Sequence, residues 1–93
     1  MTSDYIDVFK ALANEERLKI VHLLIKNKQM CARDVEKHFY LEQSTTSHHL
    51  NTLKRCGIAK SQRSGRHVFY SIDFKRFLKI INGFREDLMT HAS

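Results

Sequence analysis

The stretch "QSTTSHHLNTLKRCG", residues 43–57, is the part of the sequence that most strongly indicates the fold. Thr46, Leu50 and Leu53 lie on one side of a helix, because steps of four and three residues differ from a whole turn by only about 40 to 60°. The opposite side is polar and carries Ser44, Thr45, His48, Asn51, Thr52 and Arg55. Gly57 then suits the left-handed position that ends a helix. The stretch predicts an amphipathic helix with a polar outer face.

A β-hairpin is predicted directly after this helix, where the period of the apolar residues changes from 3.6 to 2. The segment "IAKSQRSGRHVFYSI" contains two strands, residues 59–63 and 67–72. They are joined at Ser64 and Gly65, where glycine permits a positive φ. The polar helix and the hairpin therefore form one continuous unit.

Further helices are predicted on both sides of this unit. Apolar residues recur at helical spacing over residues 5–12 and 18–25, and again in a short helix over 32–38. Asn14 is the expected N-cap of the second helix. A long helix over 73–90 carries a continuous apolar stripe.

The first and last helices form the expected dimer surface, because a three-helix core cannot cover both of them. The alternative is that both pack wholly within the monomer. The residues expected at the surface are Tyr5, Val8, Phe9, Phe77, Ile81, Phe84 and Leu88.

Positive charge is concentrated in the second half of the chain. Residues 1–42 hold seven Lys and Arg and seven acids, whereas residues 43–93 hold nine against three and thus the whole excess of +6. A block of one sign attracts a polyanion. Arg63 and Arg66 flank the hairpin tip, where guanidinium groups bind phosphate or enter a narrow minor groove. The alternative is that they only keep the hairpin soluble and prevent edge pairing.

Several classes of protein are excluded or disfavoured. The 93 residues show no break in composition, so one domain over 1–93 is expected. There is no basic n-region and no apolar run of about 18 residues, which predicts a cytoplasmic protein without a membrane partner. No phosphate loop or nucleophile elbow is present, so neither an enzyme nor catalytic residues are expected. His48 and His49 diverge by about 100° on a helix, and no metal site or cofactor is expected.

The order of these elements is that of a winged helix-turn-helix, a mainly α fold with a β-hairpin wing and the order α-α-α-α-β-β-α. In such a fold the polar helix enters the major groove, and Gln, Ser and Thr side chains are suited to read bases. The expected partner is double-stranded operator DNA, bound by a homodimer. The alternative is a dimeric basic module that binds RNA or an acidic protein. The polar face carries none of the aromatic anchors that such partners favour.

Two segments, "FKALANEERLKIVHLL" (9–24) and "LEQSTTSHHLNTLKRCGIAKSQRSGRHVFYSI" (41–72), resemble the ArsR/SmtB family of bacterial repressors. The resemblance implies a homodimeric repressor that leaves its operator when an effector binds or a thiol is modified. It also implies reading residues within 43–48 and a wing over 63–67. Together with the helical pattern, the expected DNA-contacting residues are Gln43, Ser44, Thr45, Ser47, His48, Arg55, Arg63 and Arg66.

The sensing sites of that family are where this sequence departs from it. The family's thiolate metal site begins with Cys-x-Cys, but here Cys31 is present and Arg33 takes the position of the second cysteine. A cation opposes a divalent metal and favours the reactive thiolate. The family's second site begins with Asp-x-His, but here Asp73 is present and Lys75 takes the position of the histidine. We therefore expect thiol sensing, with Cys31 and Cys56 as candidates. The alternatives are no effector, buried and unreactive cysteines, or a metal-responsive repressor with a non-standard site.

Overall fold

The structure, a computed structural model, describes residues 2–92, with side chains from residue 4 onward. Within this range the elements are α1 (Thr2–Leu12), α2 (Glu15–Lys26), β1 (Met30–Cys31), α3 (Ala32–Phe39), α4 (Gln43–Arg55), β2 (Ala59–Ser64), β3 (His67–Ile72) and α5 (Phe74–His91). None of the helices in this range has the length and apolar content needed to cross a membrane.

The predicted helix ends are confirmed. The Asn14 side chain accepts a hydrogen bond from the backbone N–H of Arg17 at 2.9 Å, so it caps the free N–H groups at the start of α2. Gly57 has φ +91° and follows α4. The N–H of Ile58 then donates to the carbonyl of Leu53 at 3.0 Å, which is the hydrogen bond of a Schellman motif.

The hairpin is confirmed, but its turn lies one residue later than predicted. The strands β2 and β3 pair from Ala59 with Ile72 to Ser64 with His67. Ser64 therefore belongs to β2, and the loop consists of Gly65 and Arg66. Gly65 has φ +62°, a conformation that costs glycine nothing.

The strand β1 was not predicted. Its two residues pair antiparallel with β3, Met30 with Tyr70 and Cys31 with Phe69, which gives a sheet of order β1-β3-β2. Two residues are too few to show a period, and they become a strand because β3 offers them an edge. The observed order is thus α-α-β-α-α-β-β-α, with one strand more than the sequence predicted.

The core lies between α1, α2, α3, α4 and the sheet. Its buried apolar residues are Val8, Ala11, Ile20, Val21, Leu24, Val35, Leu50, Leu53, Ile58, Ala59 and Ile72. The prediction that Val8 lies at the dimer surface is wrong, because its side chain is 0% exposed within the chain's own core. The helix α5 contributes no buried residue.

Candidate nucleic-acid interface

The helix α4 presents its polar face outward because its other face is buried. Thr46, Leu50 and Leu53 are each 0% exposed. Thr46 is polar, but its Oγ1 donates to the backbone carbonyl of Glu42 at 3.1 Å, so the buried hydroxyl is satisfied. Of the expected DNA-contacting residues of α4, Gln43, Ser44, His48 and Arg55 are exposed, and Thr45 and Ser47 are half-buried.

The start of α4 leaves backbone N–H groups without a side-chain cap. Its N-cap, Glu42, makes no side-chain capping hydrogen bond, and no acidic residue stands in the first turn. Backbone N–H groups and the positive end of the helix dipole attract phosphate at such a position. Gln43 and Ser44 lie in this first turn, beside the free N–H groups.

The wing carries unpaired positive charge. Arg63 and Arg66 are exposed, one at the end of β2 and the other in the loop. Among the residues that the structure describes, neither forms an ion pair with a carboxylate. Lys60 is exposed on the same strand as Arg63. The guanidinium groups of Arg63 and Arg66 are thus available to an external anion such as a DNA phosphate.

Glu16, Arg17 and His49 form a cluster that was not predicted from the sequence, hereafter the Glu16–Arg17–His49 cluster. His49 is 5% exposed, and its Nε2 lies 2.5 Å from Glu16 Oε1. Arg17 Nη1 lies 3.4 Å from His49 Nδ1. A guanidinium group only donates, so Nδ1 accepts from Arg17 and Nε2 donates its proton to Glu16. The signal was present in the sequence, because His49 is three residues after Thr46 and four before Leu53, which places it on the buried side.

The two cysteines have different surroundings. Cys56 is the C-cap of α4, and its Sγ donates to the carbonyl of Leu53 at 3.4 Å. Partial burial raises the pKa of the Cys56 thiol, which lowers its thiolate fraction and disfavours it as a sensor. Cys31 is the half-buried N-cap of α3. A cleft of about 350 Å³ brings it together with Arg33, Arg66 and His67.

The apolar surface shared by α1 and α5 is only partly covered. The ring of Phe84 makes edge contacts with those of Tyr5 and Phe9, with centroids 5.5 and 4.9 Å apart. Outside this contact, Leu78 and Leu88 are 54% and 57% exposed. The Cα radius of gyration is 14.3 Å, against about 12 Å for a compact chain of this length. Phe77, Ile80 and Ile81 of α5 pack against the core, whereas Leu78 and Leu88 leave apolar area of the helix in solvent.

In residues 2–92 no three or more His, Cys, Asp and Glu side chains come together in a group that could hold a metal ion. Cys31 has Arg33 beside it in the cleft instead of a second ligand. His91, near the end of α5, has its Nδ1 2.9 Å from the backbone carbonyl of Asp87. That ring nitrogen therefore donates within the helix.

The order of the elements, the polar outer face of α4 and the arginine-bearing hairpin define the class of winged helix-turn-helix proteins. The family model described as "Bacterial regulatory protein, arsR family" matches residues 14–61. The chain belongs to that family, and the resemblance noted in the sequence is confirmed. The match covers α2, β1, α3, α4 and the first part of β2.

Similar proteins support this assignment. The cadmium resistance transcriptional regulatory protein CadC of Listeria innocua is 42% identical over 74 residues, which are 80% of this chain and 60% of CadC. This chain thus spans 60% of that relative's length. The transcriptional repressor SdpR of Bacillus subtilis is 39% identical over 72% of this chain and 73% of its own. A homodimeric winged helix-turn-helix DNA-binding domain from Mycobacterium bovis has a TM-score of 0.77 at 24% identity, over 99% of this chain and 84% of that one.

Proposed function

We propose that the chain is a homodimeric, sequence-specific DNA-binding repressor of transcription in the cytoplasm, with one winged helix domain over residues 1–93. It acts by binding, without catalysing a reaction. The observation that carries the proposal is the polar outer face of α4, which buried residues on the opposite side hold toward solvent next to a hairpin with unpaired arginines. The relative SdpR is described as a transcriptional repressor, which is the role proposed for this chain.

The proposal divides the DNA contacts into two kinds. Side chains of α4 read base edges in the major groove, where hydroxyl and amide groups meet the donors and acceptors of the bases. Arginines of the wing bind the backbone and contribute affinity without sequence information. The proposed readers are Gln43, Ser44, Thr45, Ser47 and His48, and the proposed backbone contacts are Arg55, Arg63 and Arg66.

The proposed dimer buries the exposed apolar face of α5 together with the neighbouring part of α1. Its residues are Tyr5, Phe9, Phe77, Ile81, Phe84 and Leu88, with Leu78 added because the structure exposes it. The similar domain from Mycobacterium bovis is homodimeric, which supports a dimer of this chain. Two α4 helices related by a twofold axis then address half-sites about 10 base pairs apart in an inverted repeat.

Release from DNA is proposed to follow modification of Cys31. The thiol lies in the cleft with Arg66 of the wing, and β1 pairs with β3. The Cys31 thiolate attacks a hydroperoxide, so that an S–O bond forms, the O–O bond breaks and hydroxide or an alkoxide leaves. The resulting sulfenic acid adds a polar group where Arg66 approaches the DNA backbone. The cadmium-resistance relatives make Cd²⁺ the second effector to test.

The test is fluorescence anisotropy of the reduced protein with labelled duplexes from its own upstream DNA and with random duplex as control. Preference for an upstream duplex supports a specific regulator, and equal affinity for random duplex contradicts it. The titration is repeated after mild oxidant and after Cd²⁺, with Cys31→Ser beside the wild type. Release by oxidant that Cys31→Ser abolishes supports the thiol switch. Equal release of both proteins removes Cys31 from the mechanism.

A further inference from the structure

The Glu16–Arg17–His49 cluster joins three helices. Arg17 lies in the first turn of α2. Its Nε donates to the carbonyl of Ala11 at 2.9 Å, and its Nη2 donates to that of Lys10 at 3.4 Å. Both carbonyls belong to the last turn of α1, whose carbonyls lack partners within the helix. The third donor of Arg17, Nη1, reaches His49 of α4. One guanidinium group therefore connects the end of α1 with the buried side of α4.

This connection differs in kind from the rest of the contact between α4 and the core. Leu50 and Leu53 make apolar contacts, which are not directional and tolerate small rotations. The His49 hydrogen bonds are directional, and a buried ring nitrogen without a partner is costly. A rotation of α4 about its axis would break the bonds to Glu16 and Arg17 together. The cluster is thus suited to hold α4 at one angle relative to α1.

We propose that Glu16, Arg17 and His49 are positioning residues that set the spacing of the DNA half-sites that the dimer accepts. The inference rests on the proposed function. α1 forms part of the proposed dimer surface and α4 carries the proposed readers, so the angle between them determines how far apart the two α4 helices lie. A fixed angle gives a narrow spacing preference, because half-site spacing follows from the distance between recognition helices. A looser angle gives a broad one.

The neighbouring histidines provide a matched comparison. His48 is exposed on the proposed reading face, and its ring centroid lies 5.9 Å from that of His49. His48→Leu should change which bases are preferred and leave the preferred spacing intact. His49→Leu should leave the preferred bases intact and broaden the spacing. His22→Leu, at an exposed position on α2 outside both groups, should change neither property.

The experiment is selection of bound duplexes from a random library by the full chain, followed by sequencing, which returns base preference and spacing together. For the wild type we expect one inverted-repeat spacing to dominate. For His49→Leu we expect the enrichment of the preferred spacing, relative to a spacing shifted by one base pair, to fall by about tenfold. This is the order expected for loss of one charge-assisted hydrogen bond. His49→Gln should rescue it, since a side-chain amide donates to Glu16 and accepts from Arg17.

Glu16 gives a second test at a half-exposed position, in case His49→Leu does not fold. Glu16→Ala and Glu16→Gln lose the same charge at the start of α2, but only glutamine keeps an acceptor for His49 Nε2. Glu16→Ala should broaden the range of half-site spacings that the protein enriches, and Glu16→Gln should keep the narrow range of the wild type. Circular dichroism and melting temperature identify the folded variants that enter the comparison.

The outcomes separate this inference from the proposed function. A wild type that enriches an inverted repeat of one spacing, with His49→Leu and Glu16→Ala enriching the same repeat over several spacings, supports both. A wild-type spacing preference that every folded cluster variant keeps overturns the positioning role and leaves the DNA-binding function standing. A wild type that enriches no repeat overturns the proposed function and the positioning role with it.

Discussion

The helices α4 and α5 are both amphipathic, but the chain fully buries apolar residues of only one of them. α4 has 13 residues and buries Thr46, His49, Leu50 and Leu53. α5 has 18 residues and buries none. The core thus holds α4 so that its polar side faces solvent, where a polar ligand can bind. The apolar side of α5 is only partly covered, with Leu78 and Leu88 more than half exposed, and exposed apolar area of this kind favours association with another protein surface.

The largest effect should come from removing the buried side of α4. Leu50→Ala should lower the free energy of unfolding by about 3 kcal/mol, because it leaves a cavity in a close-packed core. Leu88→Ala, at a position 57% exposed, should lower it by less than about 0.5 kcal/mol. Chemical denaturation at a protein concentration below that of dimer formation measures both. Equal losses would mean that α5 belongs to the core as much as α4 does.

The next effect concerns the exposed face of α5. Leu78→Lys should weaken the dimer by at least about 30-fold, because a charge would be buried in an apolar interface. Sedimentation equilibrium measures the dissociation constant. Glu86→Gln is the control, since it changes the net charge by the same amount at an exposed polar position of α5. A dimer that tolerates Leu78→Lys would move the interface to another surface.

A smaller effect is expected at Gly57, which follows α4 and lies against Arg76 of α5. Gly57 has φ +91°, and an added Cβ would lie 2.5 Å from Nε of Arg76 in α5. Gly57→Ala should therefore destabilise the chain by about 1 to 2 kcal/mol. Gly83→Ala should cost less, because Gly83 lies inside a helix without a positive φ, where alanine is favoured, and this preference offsets the contact of the added Cβ with the Tyr5 hydroxyl at 3.0 Å. Thermal denaturation compares the two. A Gly57→Ala variant as stable as Gly83→Ala would contradict both the strain expected from φ +91° and the close contact with Arg76.

The smallest effect concerns the wing that follows α4. Arg66→Ala should weaken binding to all duplexes alike and flatten the log–log salt dependence by up to about 0.9 per lost phosphate contact. Lys28→Ala removes an exposed cation outside α4 and the wing and should leave the slope unchanged. Anisotropy titrations at four salt concentrations measure the slope. A wild-type slope for Arg66→Ala would remove Arg66 from the phosphate contacts.

The features that could be predicted from the sequence are those that depend on neighbours along the chain. The 3.6-residue and 2-residue periods located the helices and the hairpin, and the polar face of α4 followed from its helical pattern. Asn14 and Gly57 were predicted at the correct ends of helices, because a cap forms hydrogen bonds with residues only a few positions away. These are local interactions, and a short stretch of sequence contains all of the groups that form them.

Which element covers which face became clear only from the packing of the folded chain. Val8 and Phe9 are adjacent apolar residues of α1, and packing buried the first while leaving the second 39% exposed. The strand β1 exists because β3 lies beside it. His49 bonds to Glu16 from 33 positions away. Periodicity states which residues share a face, but the partner of that face comes from distant sequence, and its position follows from the packing of the whole chain.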